Sequence, residues 1–150
     1  NGLKQQYPAI KLIVIGSLDA AHESLLEKLQ DSNIVCLGFV ENLSNVLFPE
    51  DIHIIPWEYN TGTRTRLPLV LNYGQVLVAT FASVEAFPEI ENNQNALLCN
   101  KLEDMEKVIS KLLKNSTRRK ELSTASKETF FNKFTVFSQL NRIKNYIDTI

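Results

Sequence analysis

The chain has 150 residues, of which 16 are basic and 17 acidic, and its formal net charge is −1. This length suits one ordinary domain, and the 44% hydrophobic content excludes a disordered chain. The balanced charge excludes a broad polyanion-binding surface, so no nucleic-acid partner is expected.

Five short apolar runs alternate with helical patterns along the chain. The predicted strands cover residues 9–16, 33–37, 51–57, 75–80 and 95–99. Strands that alternate with helices predict a parallel sheet with helices on both faces, and the strands of such sheets are usually buried. The expected fold class is therefore α/β, a Rossmann-like parallel sheet, with a buried run at Leu12–Ile15.

Polar residues near the helix starts predict where the helices begin. A short helix is expected over residues 42–48, and three helices are expected after the last strand. The predicted helix-capping residues are Asp19, Asn100 together with Glu103, Ser116, and Thr135. The last helix carries an apolar stripe of Phe137, Leu140, Ile143 and Ile147, which is expected to be exposed in this chain.

The cysteines and histidines give no sign of a metal site. Cys36 and Cys99 lie within aliphatic runs and are predicted to be buried free thiols. His22 is predicted to be a surface or capping residue, because no partner ligands have a suitable spacing. His53 lies between isoleucines and is predicted to be satisfied within the sheet or against a neighbouring loop, and a catalytic role as a general base is the alternative. No apolar segment approaches the ~18 residues that cross a bilayer.

The segment 60–66, NTGTRTR, is the part of the sequence that indicates chemistry. Gly62 allows a sharp bend or a close approach to a ligand, and Thr61 and Thr63 offer hydroxyl groups. Arg64 and Arg66 follow, and each guanidinium could add charge-assisted hydrogen bonds of about 1.5–3 kcal/mol to an anion.

Pro68 and Gly74 predict the limits of the next helix. Proline is compatible with the first turn only, so the helix starts near residues 65–67, and glycine is a common C-terminal stop. The arginines then lie at the positive end of the helix, beyond the carboxyl end of a strand, where ligands bind in open parallel sheets. We therefore predict a phosphate site, while a solvated turn remains the alternative interpretation.

The order of several segments resembles the C-terminal, nucleotide-sugar donor domain of GT-B glycosyltransferases of family 4, also called glycosyl transferases group 1. The segments are KLIVIG, NIVCLGFVENLSNVL, DIHIIPW, NTGTRTRLPLVLNYGQVLVAT and SVEAF. The resemblance covers nearly the whole chain. Matching positions include Gly74, Thr80 and Glu85.

The resemblance implies transfer of a hexosyl unit from a nucleoside diphosphate sugar to a saccharide or lipid-linked glycan, as in polysaccharide biosynthesis. It implies no metal and no cofactor besides the donor substrate. Arg64 and Arg66 would be catalytic, because they would neutralise the charge that grows on the departing diphosphate. The implied substrate-binding residues are Gly62, Thr61, Thr63 and Glu85.

The resemblance also implies a domain organisation. Residues 1–150 would form a single nucleotide-sugar-binding domain, a fragment without its first strand and without the N-terminal acceptor domain. Such a fragment is expected to be inactive in isolation. A cytoplasmic location is expected, with peripheral attachment to the inner membrane through the other domain as a further option.

Two departures from the family pattern favour a second hypothesis. The family usually has glutamates where this sequence has Thr61 and Leu69, and a glycine where it has Asn60. A degenerate, non-catalytic binding or assembly module is therefore the alternative. A phosphoacceptor receiver is disfavoured because no acidic cluster follows the first strand. Neither GxGxxG nor GxxxxGK[ST] occurs, which argues against dinucleotide-dependent dehydrogenases and P-loop enzymes.

Overall fold

The computed structural model of the chain describes residues 2–59, 62 and 65–149. The chain divides into two compact units, Asn1–Val46 and Leu47–Ile150. The five predicted strands are all present, and every pairing between them is parallel. They are β1 (Leu12–Ile15), β2 (Ile34–Gly38), β3 (Ile52–Ile55), β4 (Val76–Thr80) and β5 (Ala96–Cys99).

The helices alternate with these strands as predicted. They are α1 (Gly2–Gln6), α2 (Glu23–Lys28), α3 (Arg66–Asn72), α4 (Phe81–Val84), α5 (Glu103–Leu113), α6 (Ser116–Lys133) and α7 (Val136–Ile147). The short helix predicted over residues 42–48 is only a 3-10 turn, Leu43–Asn45. The four-residue helix α4 was not predicted.

In the first unit, β1 and β2 form a two-stranded parallel sheet in which Leu12 lies opposite Ile34. The predicted burial of β1 is wrong, since the side chains of Leu12 and Ile13 are each 44% exposed. Cys36 in β2 is also exposed, although Cys99 is buried as predicted and both thiols are free. Among the described residues of this unit, the only helices are two short ones and a 3-10 turn, which cannot cover both faces of a sheet.

Several helices are capped by a residue other than the predicted one. The Nδ1 atom of His22 accepts from the Ser24 N–H and caps α2, whereas Asp19 accepts from the Ser17 hydroxyl instead. Asn115, not Ser116, caps α6. The reason is common to these cases: the acceptor that lies two or three residues before the free N–H group makes the bond.

The predicted capping residue is confirmed for α7 but not for α5. Thr135 caps α7 as expected, because its side chain accepts from the Ser138 N–H. The predicted capping box of Asn100 and Glu103 is wrong, since Leu102 occupies the capping position of α5 without a side-chain bond.

The second unit contains a three-stranded parallel sheet in the order β3-β4-β5. All five residues of β4 are buried. Because successive side chains of a strand point to opposite faces, this burial shows that both faces of β4 are covered. Leu77 and Ala79 pack with the α3 residues Leu67, Val70 and Leu71, and α5 packs against β4 and β5.

Gly74 ends α3 and turns the chain into β4, as its position in the sequence predicts. Its φ of +67° is the left-handed conformation that favours glycine. The Gly74 N–H donates to the Leu71 carbonyl at 2.9 Å, and the Gln75 N–H donates to the Val70 carbonyl at 3.2 Å. A Cβ atom on Gly74 would lie 2.5 Å from Cε of Lys127 in α6.

Asn95 fixes the segment between α4 and β5. Its Oδ1 accepts from the Glu91 N–H at 2.8 Å. Its Nδ2 donates to the Glu89 carbonyl at 2.8 Å and to the Thr129 hydroxyl of α6 at 2.9 Å. The Ser126 hydroxyl donates to the Asn95 carbonyl at 3.0 Å, so this segment is joined to α6 by both backbone and side chain.

The apolar stripe of α7 is exposed, as expected from the sequence. The four predicted members, Phe137, Leu140, Ile143 and Ile147, are all exposed, and so is the neighbouring Val136. None of the helices within residues 2–59 and 65–149 combines the length and the apolar character that crossing a membrane requires.

Candidate functional site

The carboxyl ends of β3, β4 and β5 lie at one edge of the sheet, because the three strands are parallel. The strands end at Ile55, Thr80 and Cys99. Residues 56–65 follow β3, and α4 follows β4 without an intervening loop. Of the predicted site residues, the structure describes Gly62, Arg66 and Glu85, which follow β3 or β4 and so belong to this edge of the sheet.

Arg66 is the first residue of α3, as predicted from Pro68 and Gly74. Its neighbour Thr65 occupies the capping position but makes no side-chain capping bond. Leu67 is fully buried in the core, whereas Arg66 is exposed. The helix therefore packs its inner face against the sheet and leaves Arg66 exposed at its first turn.

Gly62 lies in a bend with a φ of +95°, which side-chain-bearing residues rarely adopt. A Cβ atom at this position would meet nothing within 4 Å. The glycine is thus required by the backbone conformation rather than by a close neighbour. Arg64, Thr61 and Thr63 lie outside the described residues, so their predicted roles stay predictions.

Glu85 follows α4 directly and has helical backbone angles. It is exposed and lines an open cleft of about 460 Å³. Most of the other lining residues are apolar and include Phe81, Val84, Phe87 and Leu98. Arg66 and Gly62 are not among the described residues that line this cleft, so the structure shows no shared pocket for Glu85 and Arg66.

His53 is satisfied within the sheet, as predicted. Its Nδ1 lies 3.0 Å from Oε1 of the buried Gln75, which is the last residue before β4. Burial lowers the pKa of His53, the bond to Gln75 opposes this shift, and the positive charge of Arg66 lowers the pKa further.

A group of hydroxyls at the same edge was missed by sequence reasoning. The Thr80 hydroxyl donates to the Trp57 carbonyl, and it lies 2.8 Å from the Ser83 hydroxyl. The Ser83 Oγ lies 3.0 Å from the Trp57 carbonyl oxygen and 3.3 Å from that of Ile55. The signal in the sequence is a threonine that ends a strand, with a serine three residues later, as in a helix-capping pair.

Metal binding has no candidate within the described residues, where no group of three or more histidine, cysteine, aspartate or glutamate side chains could hold an ion. The described groups at this edge include the Arg66 guanidinium, the carboxylates of Glu58 and Glu85, and the buried hydroxyls of Thr80 and Ser83. A guanidinium binds phosphate oxygens through paired N–H donors.

Comparison with solved structures identifies relatives of the fold. The C-terminal domain of a glycosyl transferase group 1 family protein, LpcC of Francisella tularensis, matches with a TM-score of 0.72 at 18% identity, over 90% of this chain and 75% of that one. A glycosyltransferase of Rickettsia africae matches with a TM-score of 0.74 at 18% identity, over 96% of this chain and 41% of that one.

HepE of Anabaena, solved in complex with UDP, matches with a TM-score of 0.81 at 14% identity. The match covers 99% of this chain and 43% of HepE, so the chain spans less than half of that protein. HepE has also been solved in complex with UDP-glucose. A search of the curated proteins finds no match.

The family comparison covers most of the chain. Residues 2–115 match the family model of glycosyl transferases group 1. The matched segment includes all five strands, the connection that carries Gly62 and Arg66, and Glu85. The α/β Rossmann-like fold and this match agree with the resemblance noted in the sequence, and the chain belongs to the glycosyl transferases group 1 family.

Proposed function

We propose that this chain binds the nucleoside diphosphate part of a nucleotide-sugar donor at the carboxyl edge of its β3-β4-β5 sheet. The observation that carries the proposal is the placement of Arg66, exposed at the first turn of α3 on this edge. The complexes of HepE with UDP and UDP-glucose support this ligand class. The group transferred in the proposed reaction is a hexosyl unit, and its acceptor is a saccharide or a lipid-linked glycan.

The proposed reaction breaks the bond between C1 of the sugar and the diphosphate oxygen, and it forms a bond between C1 and an acceptor hydroxyl oxygen. The hydroxyl proton is released, and the nucleoside diphosphate leaves with the bonding electrons. Negative charge therefore grows on the diphosphate in the transition state. Arg66, together with the predicted Arg64, neutralises that charge, which lowers the barrier without requiring a metal.

The acceptor is proposed to bind outside this chain. The chain spans 43% of HepE and 41% of the Rickettsia glycosyltransferase. Acceptor recognition and complete turnover are therefore proposed for the larger protein, while residues 1–150 supply the donor half of the site.

The test is a calorimetric titration of the protein with UDP and with other nucleoside diphosphates. Arg66→Ala should weaken UDP binding about 10- to 100-fold, because it removes a charge-assisted contact of about 1.5–3 kcal/mol. The matched control is Arg142→Ala on α7, an exposed arginine whose guanidinium lies 3.4 Å from Glu89. It should leave the affinity for UDP unchanged.

Two results would contradict the proposal. One is a folded wild-type protein that binds none of the nucleoside diphosphates at millimolar concentration. The other is an Arg66→Ala variant whose UDP affinity equals that of the wild type and of Arg142→Ala.

A second candidate function, a non-catalytic binding module, is favoured by one observation. Leu69 is 36% exposed on α3, one turn after Arg66, at a position where the family usually has a glutamate. An exposed leucine cannot accept a hydrogen bond from a ribose hydroxyl. Binding of UDP without release of free UDP from UDP-sugars, measured with acceptor extracts and the full-length protein, would favour this second candidate.

A further inference from the structure

The pairing of β3 with β4 is continued by side chains beyond the point where the strands end. The backbone ladder stops at the pair Ile55–Ala79. Pro56 has no N–H group, and the Trp57 N–H donates to the Ile55 carbonyl at 3.1 Å. Beyond the pair Ile55–Ala79 the contact between the two segments is continued by side chains, because the hydroxyls of Thr80 and Ser83 both lie within hydrogen-bond distance of the Trp57 carbonyl oxygen.

Thr80 and Ser83 form a buried pair of hydroxyls beside the end of β3. Each hydroxyl carries one proton, and two backbone carbonyls face the pair. The Thr80 hydroxyl donates to the Trp57 carbonyl, and the Ser83 hydroxyl lies within hydrogen-bond distance of the carbonyls of Trp57 at 3.0 Å and Ile55 at 3.3 Å. Thr80 and Ser83 are only 1% and 4% exposed, so water cannot replace either hydroxyl. Removing either hydroxyl therefore loses a buried hydrogen bond to a backbone carbonyl.

The same pair also sets the start of α4. The Ser83 N–H donates to the Thr80 hydroxyl at 3.2 Å, which makes Thr80 the capping residue of that helix. Glu85 follows α4 directly. On the other side, Trp57 opens the connection that leads to Arg66. One hydroxyl pair thus ties together the two connections that carry Arg66 and Glu85.

We propose that Thr80 and Ser83 are positioning residues of the donor site, which hold the connection after β3 at a fixed distance from α4. This inference rests on the proposed function and adds to it a cause for the site's geometry. Neither residue is assigned contact with the ligand. Their role is to keep the backbone at Trp57 from moving away from the start of α4, so that the connection that leads to Arg66 stays at this edge of the sheet. Misplacement of binding groups by about 1 Å can cost up to 100-fold in activity.

The test compares two serine-to-alanine variants of the same unit. Ser83→Ala removes one of the proposed positioning hydroxyls. Ser126→Ala removes a fully buried hydroxyl that donates to the Asn95 carbonyl, just before the amino end of β5 and so at the opposite edge of the sheet. Both variants lose one buried hydrogen bond to a backbone carbonyl, so they should lower the melting temperature by similar amounts.

The two variants should differ in UDP binding. Ser83→Ala should weaken the affinity for UDP about tenfold and speed up hydrogen exchange of the backbone amides over residues 57–59. Ser126→Ala should leave both quantities as in the wild type. Thr80→Val should weaken UDP binding at least as much as Ser83→Ala, and Thr80→Ser, which keeps the hydroxyl, should restore most of the affinity.

The outcomes separate this inference from the proposed function. If Ser83→Ala and Ser126→Ala bind UDP equally while Arg66→Ala binds it more weakly, the positioning role is overturned and the donor site stands. If the folded wild type binds no nucleoside diphosphate, the proposed function fails first. Should Thr80→Val not fold, the pair of serine variants still decides the question.

Discussion

Two aliphatic strands of the same chain, β1 and β4, have different surroundings. The sequence of β1 is LIVI and that of β4 is VLVAT, and both are typical of buried parallel strands. Every residue of β4 is buried, whereas none of β1 is. The buried hydrophobic residues of the described chain all lie in the second unit. An apolar sequence therefore does not by itself show that a strand is buried. Burial also requires helices that pack against the faces of the strand.

The sharpest way to test this difference is truncation of one leucine in each strand. Leu77→Ala should lower the free energy of unfolding by about 2–5 kcal/mol, because Leu77 is fully buried. Leu12→Ala should cost less than about 1 kcal/mol, because that side chain is 44% exposed. Urea unfolding followed by fluorescence of Trp57, the single tryptophan, measures the first change in its own unit.

Similar losses of stability in the two leucine variants would contradict the difference in burial between β1 and β4. Hydrogen exchange of the β1 amides provides the second readout, because Trp57 belongs to the other unit. Equal losses would show that β1 is covered as well as β4.

A smaller effect is expected from two glycines with nearly equal backbone angles. Gly38 in the first unit has a φ of +63° and Gly74 in the second has a φ of +67°. Alanine at either position should cost about 1–2 kcal/mol from the left-handed conformation alone. Gly74→Ala should cost more, since its new Cβ meets the Lys127 side chain, whereas nothing lies within 4 Å at Gly38.

Thermal unfolding of both glycine variants checks this expectation. The double variant Gly74→Ala with Lys127→Ala should recover the excess loss, because it removes the obstructing side chain. An excess that persisted without Lys127 would place its origin in the backbone of α3 instead.

The smallest expected effect is a dependence of stability on pH that comes from His53. Burial keeps its pKa below the ordinary value, so between the folded pKa and about pH 6.5 the unfolded chain binds more protons than the folded one. The free energy of unfolding should therefore fall as the pH drops below about 6.5, by at most about 1.4 kcal/mol per pH unit. It should level off once the pH is below the folded pKa.

Urea unfolding at pH 7.5 and pH 5.5, in the wild type and in His53→Gln, measures this contribution. The variant should lose less stability over that interval. The control is His22→Gln, which removes the histidine of the first unit. Followed by Trp57 fluorescence, this variant should differ less from the wild type in the stability lost between pH 7.5 and pH 5.5. If His53→Gln lost as much stability as the wild type between pH 7.5 and pH 5.5, His53 would not be the source of the pH dependence.

The sequence predicted much of the fold because local rules and the global fold agree there. Proline at position 68 and glycine at position 74 bracket α3, which runs over Arg66–Asn72. Thr135 caps α7 for the same local reason. The exposure of β1 could not be predicted from its own residues. It depends on which other elements pack against the strand, and the sequence of the strand does not specify those elements.

The candidate site was predictable only in part. The placement of Arg66 followed from the limits of α3, and the family was recognisable from the order of segments. The Thr80–Ser83 pair was not found, because its partners are backbone carbonyls more than 20 residues earlier in the chain. Sequence patterns indicate the chemistry of side chains. They do not show which backbone N–H and C=O groups need a side chain as their hydrogen-bond partner in the folded protein.

Asn95 shows how little freedom the chemistry of one buried side chain can have. It accepts one hydrogen bond and donates two, so its oxygen and nitrogen are not interchangeable. An aspartate has the same shape but would bring a carboxylate against the Glu89 carbonyl, where a donor is required. Slow hydrolysis of this amide as the protein ages would thus loosen the α4–β5 connection from α6, with no change in side-chain size.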